Sequence, residues 1–403
     1  MFDFGMHRFT LQGSFQQTPT MIRQILFIQN PKTAMPSPES DLLHTVNIPE
    51  LLLENGQTLH ELTVSYQCWG RLNEAKDNVL VVCHALTGNT NVADWWDGVL
   101  GAGKMLDTDR YFVICMNVLG SCYGTTGPDS RNPKTGQKYR ADFPMVTVRD
   151  SVRLHRAVLA QLGITRVASV VGGSMGGMQA LEWAILFPEL VESLVVIASS
   201  GRHSAWCIGW SEAQRQAIYA DPNWQNGYYT DAQRPDAGLA AARMSAMISY
   251  RSWASFQARF GRETQSGRAP ETFKVESYQR YQGQKITQRF DALSYVRLTQ
   301  LMDLHDVSAD RGAYEQVLQN IRQPAFIMGI ESDLLYPLVE QEELAEHLPH
   351  AEFRILHSDA GHDAFLIEFE QLNTLIHPWM EQVLSYKGAS PSTISSSRLK
   401  KVA

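Results

Sequence analysis

The 403-residue sequence has few cysteines, no long hydrophobic run and no excess of basic residues. Its five cysteines form no CxxC pair, so we expect neither a disulfide framework nor a cysteine-based zinc site, and a reducing cytoplasm fits. Because no run of about 18 apolar residues is present, no membrane-spanning helix is expected. The 35 Lys and Arg against 42 Asp and Glu give a net charge of −7, which argues against general nucleic-acid binding. The remaining class is a globular protein, with 44% apolar residues to build its core.

The two ends of the chain lack the periodicity of packed elements. We expect residues 1–45, which end in a segment rich in Pro and Ser, to form a loose extension, and Met21 could also be a start. We expect the Ser-rich residues 387–403 to form a disordered tail.

Between these ends, short β-branched apolar runs alternate with amphipathic stretches. The runs predict strands at Val79–Cys83, Tyr111–Met116, Val167–Val171, Leu194–Ala198, Pro324–Ile330 and Glu352–Leu356. The amphipathic stretches predict helices at Thr147–Leu162, Met175–Phe187, Leu338–Leu348 and Ala364–Leu384. Thr147 is a predicted N-cap and Gly163 a predicted stop. The alternation indicates an α/β fold, a mostly parallel sheet with helices on both faces.

One long segment, residues 201–320, breaks this alternation. It is aromatic, rich in Gln and Arg, and mostly helical in pattern. We therefore predict an α/β core formed by residues 46–200 and 321–386, with residues 201–320 as a helical insertion. Such an insertion would lie at the carboxyl ends of the strands, where open α/β sheets bind ligands, and is a candidate lid.

The segment Gly172-Gly173-Ser174-Met175-Gly176 has the pattern G-x-S-x-G between a predicted strand and a predicted helix. A tight strand-to-helix turn strains the serine and needs small neighbours. The helix N-terminus then favours negative charge that develops near the hydroxyl. We therefore predict that Ser174 is a nucleophile; a glycine-rich turn that serves packing alone is the alternative.

A serine hydroxyl needs a base, and the base needs an orienting acid. In proteins with this motif the chain order is Ser, then the acid, then His. Asp333 directly follows the predicted strand that ends at Ile330, and His362 lies in the loop before the last predicted helix. We predict Asp333 as the acid, with Glu331 as its competitor, and His362 as the base.

Other His and Asp residues occupy weaker positions. His357 lies at a strand end and is more simply structural, and His84 precedes the acid, so it more simply shapes its loop. Asp303, His305 and Asp306 fall in the insertion, on the wrong side of the strand before the acid. No H-x-x-x-D or HExxH spacing indicates a metal, and we predict neither a metal site nor a permanently bound cofactor.

An oxyanion hole requires two backbone N–H groups. In this motif class, one comes from the residue after the nucleophile and one from the loop after an early strand. These positions predict Met175 and, after the strand Val79–Cys83, Leu86.

Motifs spread over roughly residues 45–385 form a wider pattern. They are Cys83–Gly88, Thr126-Gly127-Pro128 with Asn132-Pro133, Phe143-Pro144 with Thr147–Asp150, Gly172–Ala184, Tyr281–Gly283, Arg289–Ala292, His305-Asp306 and Gly361–Phe365. Together they resemble the homoserine O-acetyltransferases of the α/β-hydrolase superfamily. The resemblance implies the α/β-hydrolase fold with an inserted helical lid.

The resemblance also implies an activity. In a ping-pong acyl transfer, Ser174 would take an acetyl group from acetyl-CoA, and the side-chain hydroxyl of L-homoserine would accept it, in methionine biosynthesis. A homodimer built through the lid helices is implied as well. By the same match, Asp363 would bind the substrate amine and Arg243 would contact substrate. A helix N-cap for Asp363 and a solvated helix charge for Arg243 are the alternatives.

The pattern leaves the acceptor and the donor open. Leu293 stands where the family usually has Asn, and the segment around Gly261–Pro270 looks variable. Enzymes that acylate serine, that use succinyl-CoA, or that acetylate a cephalosporin precursor share much of the pattern. A serine esterase would use the same triad with water as acceptor, whereas a non-catalytic binder usually lacks a triad member, and all three candidates are present here.

Overall fold

The structure, a computed structural model, describes residues 42–265 and 272–385. Most of the predicted N-terminal extension and all of the predicted tail lie outside these residues. The last residues of the predicted extension, His44 and Thr45, belong to the first strand.

Among the described residues, eight strands form one sheet and two short strands form a hairpin. The strands are β1 (His44–Leu52), β2 (Thr58–Trp69), β3 (Val79–Cys83), β4 (Phe112–Met116), β5 (Ser169–Gly173), β6 (Leu194–Ile197), β7 (Thr264–Gln265), β8 (Thr272–Phe273), β9 (Ala325–Ile330) and β10 (Ala351–Leu356). The order in the sheet is β1-β2-β4-β3-β5-β6-β9-β10. β2 pairs antiparallel with β1 and β4, and all other pairs in the sheet are parallel.

Helices cover both faces of this sheet and form most of the insertion. They are α1 (Val92–Trp95), α2 (Val148–Gln161), α3 (Met175–Leu186), α4 (Ala205–Tyr219), α5 (Asp236–Tyr250), α6 (Trp253–Phe260), α7 (Lys274–Thr287), α8 (Ala292–Asp303), α9 (Tyr314–Gln319), α10 (Leu338–His347) and α11 (Phe369–Ser385). None of these described helices is long and apolar enough to cross a bilayer.

The core has two layers, one on each face of the sheet. In β3, Val79 and Val81 pack into the layer under α2, α3 and α10, while Leu80 and Val82 pack into the layer under α1 and α11. Apolar residues at consecutive positions are therefore all buried, as expected of a parallel strand covered on both faces. The predicted α/β fold is confirmed.

The insertion leaves the sheet at the carboxyl end of β6 and returns at β9. Within it, α5 packs between α4 and α7. A Cβ atom at Gly283 of α7 would lie 2.8 Å from the carbonyl oxygen of Ala240 in α5, so the two helices meet at their backbones. The close approach makes α5 and α7 one packed unit above the sheet edge.

Most predicted elements are confirmed, and the exceptions have physical reasons. The side chain of Thr147 accepts from the N–H of Asp150 and the Asp150 carboxylate accepts from the N–H of Thr147, so α2 begins with a capping box, and Gly163 follows its end with φ +72°. The predicted helix Ala364–Leu384 begins only at Phe369, because Gly361–Leu366 forms a 3-10 helix that packs against the end of α5.

Candidate active site

Ser174 lies on the turn between β5 and α3, with φ +56° and ψ −126°. A non-glycine residue in this region carries backbone strain of about 1–3 kcal/mol, which the surroundings must offset. The N–H of Ser174 donates to the carbonyl of Ile197 at 2.9 Å, and its carbonyl accepts from the N–H of Gly177 at 2.8 Å. These bonds hold the serine in the sharp turn that the motif predicts.

The glycines of this turn are required by close backbone contacts. A Cβ atom at Gly172 would lie 2.2 Å from the carbonyl oxygen of Gly176, and one at Gly176 would lie 2.1 Å from the carbonyl oxygen of Cys83. Side chains cannot occupy such distances, so the motif specifies how tightly α3 approaches β5 and the end of β3. The expectation that the turn needs small neighbours is confirmed.

Asp333 and His362 form a buried pair. Nδ1 of His362 lies 2.6 Å from Oδ2 of Asp333, while Oδ1 of Asp333 accepts from the N–H groups of Leu335 at 2.8 Å and Tyr336 at 2.9 Å. Because a carboxylate only accepts, the proton of this contact belongs to Nδ1, which leaves Nε2 with its lone pair. The arrangement suits a base oriented by an acid.

Aromatic rings surround the imidazole of His362. The ring of Tyr336 stacks on it at 5.2 Å with an interplanar angle of 28°, and Tyr250 of α5 lies 5.9 Å away. Phe365 meets it edge-on at 5.6 Å and also packs against Gly173, where a Cβ atom would lie 2.7 Å from the Phe365 ring. Phe365 therefore contacts both the histidine and the turn that carries Ser174.

The electrostatic environment of His362 favours its protonated form. Burial lowers the pKa of His362, but the Asp333 carboxylate raises it through charge and hydrogen bonding, and the charge of Asp363 raises it further. The net effect is a pKa above the ordinary value of 6.5. A histidine tuned in this direction is a stronger proton acceptor than a free imidazole.

The predicted oxyanion donors lie on two adjoining segments. Leu86 occupies a turn closed by the bond from the N–H of Gly88 to the carbonyl of Ala85, at 2.8 Å, and Met175 begins α3. Gln179 of α3 donates from Nε2 to the carbonyl of His84 at 3.2 Å, which ties the helix to this turn. The two backbone N–H groups are thus carried by elements that contact each other.

His84 has a structural environment, in agreement with its sequence interpretation. Its Nε2 accepts from the N–H of Val118 at 3.1 Å, and its Nδ1 lies 2.9 Å from the carbonyl of Ala85. Burial lowers the pKa of His84. A neutral ring with both nitrogens engaged fixes the start of the Leu86 turn.

Arg289, which precedes α8, supports the same turn from the insertion. Its Nη1 donates to the carbonyl of Thr87 at 2.8 Å and to the hydroxyl of Tyr123 at 2.6 Å. This bridge joins the residue after Leu86 to the loop after β4. The guanidinium is exposed, so we assign it a supporting contact of modest strength.

Arg243 and Asp363 converge on the surroundings of His362. The guanidinium of Arg243 lies 5.3 Å from the centre of the Tyr250 ring, and the charges of both Arg243 and Asp363 act on that tyrosine. Asp363 lies in the 3-10 helix before α11. Because α11 starts six residues later, Asp363 is not the N-cap of this final helix. Its Oδ2 instead pairs with Nε of Arg251 at 3.2 Å.

The competing candidates lie in other environments. His357 and Glu331 pair with each other at 3.0 Å on the surface. Asp303 pairs with Arg215 at 2.7 Å, and burial lowers the pKa of His305 to about 3. In the parts of the chain that the structure describes, no group of three or more His, Cys, Asp and Glu could hold a metal ion.

Three residues of this site were not singled out from the sequence: Tyr336, Tyr250 and Arg251. Tyr336 follows Asp333 by three residues, so its backbone contact with the carboxylate was open to prediction from an aspartate turn. Tyr250 and Arg251 reach the site only through the packing of α5 against the His362 loop, which leaves no local signal.

Comparison with known proteins assigns the class. A family model of the alpha/beta hydrolase fold matches residues 78–369. The crystal structure of the esterase named E22 has a TM-score of 0.79 and 27% identity, and the match covers 84% of this chain and all of that one. Together with the serine turn and the Asp333–His362 pair, these matches define an enzyme of the α/β-hydrolase fold family, to which this chain belongs.

A narrower family follows from sequence identity. A homoserine O-acetyltransferase of Chlorobium chlorochromatii is 54% identical over 350 residues, which are 87% of this chain and 98% of that protein. The crystal structure of the homoserine O-acetyltransferase from Bacillus anthracis has a TM-score of 0.78 at 26% identity, with 84% of this chain and 97% of that one covered. The chain belongs to the homoserine O-acetyltransferase family.

Proposed function

We propose that this protein transfers the acetyl group of acetyl-CoA to the side-chain hydroxyl of L-homoserine through an acetyl-serine intermediate at Ser174. The observation that carries the proposal is the buried Asp333–His362 pair, connected through Phe365 to the strained serine turn, in a chain that is 54% identical to a homoserine O-acetyltransferase. Esters of homoserine are activated for sulfur chemistry, which fits a step of methionine biosynthesis.

In the first half-reaction, Oγ of Ser174 attacks the thioester carbonyl and its proton passes to Nε2 of His362. The N–H groups of Leu86 and Met175 stabilise the oxyanion that forms. When the tetrahedral intermediate collapses, the carbon–sulfur bond breaks and the CoA thiolate takes the proton from His362. CoA then leaves, and the acetyl group remains on Ser174.

In the second half-reaction, the hydroxyl of homoserine attacks the acetyl-serine carbonyl. Its proton passes to Nε2 of His362 and then to Oγ of Ser174 as the serine ester bond breaks. The enzyme is regenerated, and no cofactor or metal is consumed or held. The product is O-acetyl-homoserine.

Acyl transfer requires that the acceptor outcompete water, which is present at about 55 M. Position and exclusion of water can provide this preference. We assign Asp363 to the ammonium group of the acceptor and Arg243 to substrate contact, because both converge on the ring of Tyr250 beside His362. The insertion between β6 and β9 would then act as a lid over the acetyl-serine.

We further propose a homodimer formed through the lid helices. Ile248 of α5, Trp253 of α6 and Tyr281 of α7 have exposed fractions of 54%, 76% and 58%. Large apolar side chains exposed on three helices of the insertion are the kind of surface that a protein partner covers. We also propose the cytoplasm as its compartment, since all five cysteines are free thiols.

One assay tests the activity and its alternatives. Thiol release is measured with acetyl-CoA or succinyl-CoA, each with L-homoserine, L-serine or no acceptor. We expect a burst of one CoA per enzyme with acetyl-CoA alone and steady turnover only with homoserine. Parallel double-reciprocal plots would support the ping-pong route, and intersecting plots without trapped acetyl-enzyme would contradict it.

A serine esterase is the second candidate, because the fold of esterase E22 matches this chain as closely as the fold of a transferase does. It predicts rapid turnover of simple acetate esters without any amino-acid acceptor. Hydrolysis of acetyl-CoA at the same rate with and without homoserine would favour it.

A further inference from the structure

Three consecutive residues of the insertion, Tyr250, Arg251 and Ser252, contact the loop that carries His362. The ring of Tyr250 lies 5.9 Å from the His362 ring, and the hydroxyl of Ser252 donates to the carbonyl of Asp359. Between these contacts, Nε of Arg251 pairs with Oδ2 of Asp363. The end of α5 and the start of α6 therefore contact the His362 loop through three consecutive residues.

The backbones of the two segments also contact each other directly. Gly361 has φ +73°, and a Cβ atom there would lie 2.7 Å from the nitrogen of Ser252 and 2.8 Å from the carbonyl carbon of Arg251. Because the two chain segments touch directly at Gly361, the separation between Arg251 and Asp363 is set by main-chain packing. The backbone contact thus brings the two residues of the ion pair close together.

The pair lies at the border between protein and solvent. The side chains of Arg251 and Asp363 are each 20% exposed, and the contact between them joins Nε of Arg251 to Oδ2 of Asp363 at 3.2 Å. Because the Asp363 side chain is partly exposed, a second cation can approach its carboxylate from the solvent. The attraction between the two charges favours orientations of the carboxylate that keep Oδ2 towards Arg251.

We propose that Arg251 is a positioning residue that sets acceptor selectivity: it orients Asp363 so that Oδ1 accepts the ammonium group of the acceptor beside His362. This inference rests on the proposed acetyl transfer to homoserine. Acylation of Ser174 involves no ammonium group, so at a pH above the acid limb of the profile Arg251 affects only the second half-reaction. Acceptors that carry an ammonium group gain from it, and alcohols without one do not.

The test uses Arg251→Gln, with Arg251→Lys as the conservative variant. Arg280→Gln is the matched control, since Arg280 is an exposed arginine of α7 that pairs with Glu276. The acceptors are L-homoserine, 3-aminopropan-1-ol, which keeps the ammonium group, and 4-hydroxybutanoate, which lacks it. At a pH above the acid limb of acylation we expect, for Arg251→Gln, an unchanged CoA burst, a KM at least tenfold higher for the two amines, and an unchanged KM for 4-hydroxybutanoate.

The pH dependence of the acylation rate is a second measurement, which a purely structural role of Arg251 would leave unchanged. Loss of the Arg251 charge leaves Asp363 less compensated, so the acid limb of the acylation rate should move to higher pH in Arg251→Gln. In Asp363→Asn it should move to lower pH, because the charge that raises the pKa of His362 is lost. Arg251→Lys should restore part of the amine preference.

Equal losses with all three acceptors, or an unchanged KM for both amines, would overturn the assignment. The same holds if Arg280→Gln matches Arg251→Gln. If Arg251→Gln does not fold, the Arg251→Lys variant and the opposite pH shift in Asp363→Asn decide the question. If the wild-type enzyme showed no CoA burst or no turnover with homoserine, the proposed function itself would be wrong. Measurements on the wild-type protein alone therefore test the proposed function separately from the role of Arg251.

Discussion

The α/β core and the insertion hold their parts of the site in different ways. In the core, Ser174 is held in a strained turn by backbone bonds, and Asp333 pairs with His362 in a buried environment. On the insertion side, Arg243 and Arg251 are only half-buried, and the Arg251–Asp363 pair is reachable from solvent. The groups proposed for bond making and breaking are thus buried and held by hydrogen bonds, whereas the groups proposed for acceptor recognition are partly exposed.

This difference suits a two-step transfer. Rigid donors and a fixed base lower the barrier of both steps in the same way, because they require no rearrangement during reaction. A group that recognises only the second substrate must first release its resting partner or share it. Substitutions in the core should therefore stop both half-reactions, and substitutions on the insertion side should mainly affect the acceptor step.

The largest expected effect is that of Ser174→Ala. Without the hydroxyl no acetyl-enzyme forms, so the CoA burst should vanish and turnover should fall by several orders of magnitude. The fold should persist, and the melting temperature should not decrease, because alanine still fits the turn. Activity within about tenfold of the wild-type protein would contradict the role of Ser174.

The next effect is that of Asp333→Asn. An amide N–H at this position can turn towards Nδ1 of His362 and favour the wrong tautomer, so kcat should fall by about 10⁴. The measurement is the burst rate with acetyl-CoA, with and without homoserine. Glu331→Gln is the control, since Glu331 pairs with His357 on the surface, and it should retain full activity.

A third variant tests the buried ion pairs that connect the α/β core with the insertion. Glu182 of α3 is buried and pairs with Arg149 at 3.2 Å and with Arg311, at the end of the insertion, at 2.7 Å. Glu182→Gln leaves the two guanidinium groups without their shared carboxylate and should lower the free energy of unfolding by about 3–5 kcal/mol. Urea unfolding measures this loss.

The matched control for Glu182→Gln is Glu276→Gln, which removes the charge of one partner of an exposed ion pair on α7. It should change the free energy of unfolding by less than about 1 kcal/mol. If the two variants were equally stable, the core and the insertion would not be held together by this buried carboxylate.

The smallest effect is a displacement of the pH profile. His362 must be neutral to accept a proton, and its pKa lies above 6.5, so acylation should lose activity on the acid side with an apparent pKa above 6.5. The same shift stabilises the folded protein below pH 6.5, and this contribution is lost as the pH rises through the folded-state pKa. An acid limb below 6.5 in the burst rate would contradict the arrangement.

The parts of the site that depend on local chain geometry were predictable. The G-x-S-x-G turn was recognisable because its glycines and serine lie within five consecutive positions, and the structure gives each glycine a contact that excludes a side chain. Asp333 and His362 were recognisable from chain order and from the strands before them. Their roles remain predictions until the variants are measured.

The contacts made across the insertion were not predictable. Arg251 has no motif of its own, and its sequence position, at the end of an insertion helix, gives no reason to expect Asp363 as its partner. The antiparallel strands β1 and β2 were also not singled out, since β1 is mostly exposed and the apolar alternation is interrupted in both strands. Both cases depend on neighbours that lie far away in the chain.

Sequence alone was enough for the fold class, for the tight turn at Ser174 and for the positions of Asp333 and His362 after their strands, because these follow from short-range sterics and from the alternation of buried strands and helices. The tertiary structure decided how Gly361 meets the end of α5, and hence that Asp363 pairs with Arg251 instead of capping the last helix. That choice depends on the packing of the insertion onto the core. Backbone contact between distant segments, and the charge pairing that it enforces, is a property of the folded chain as a whole.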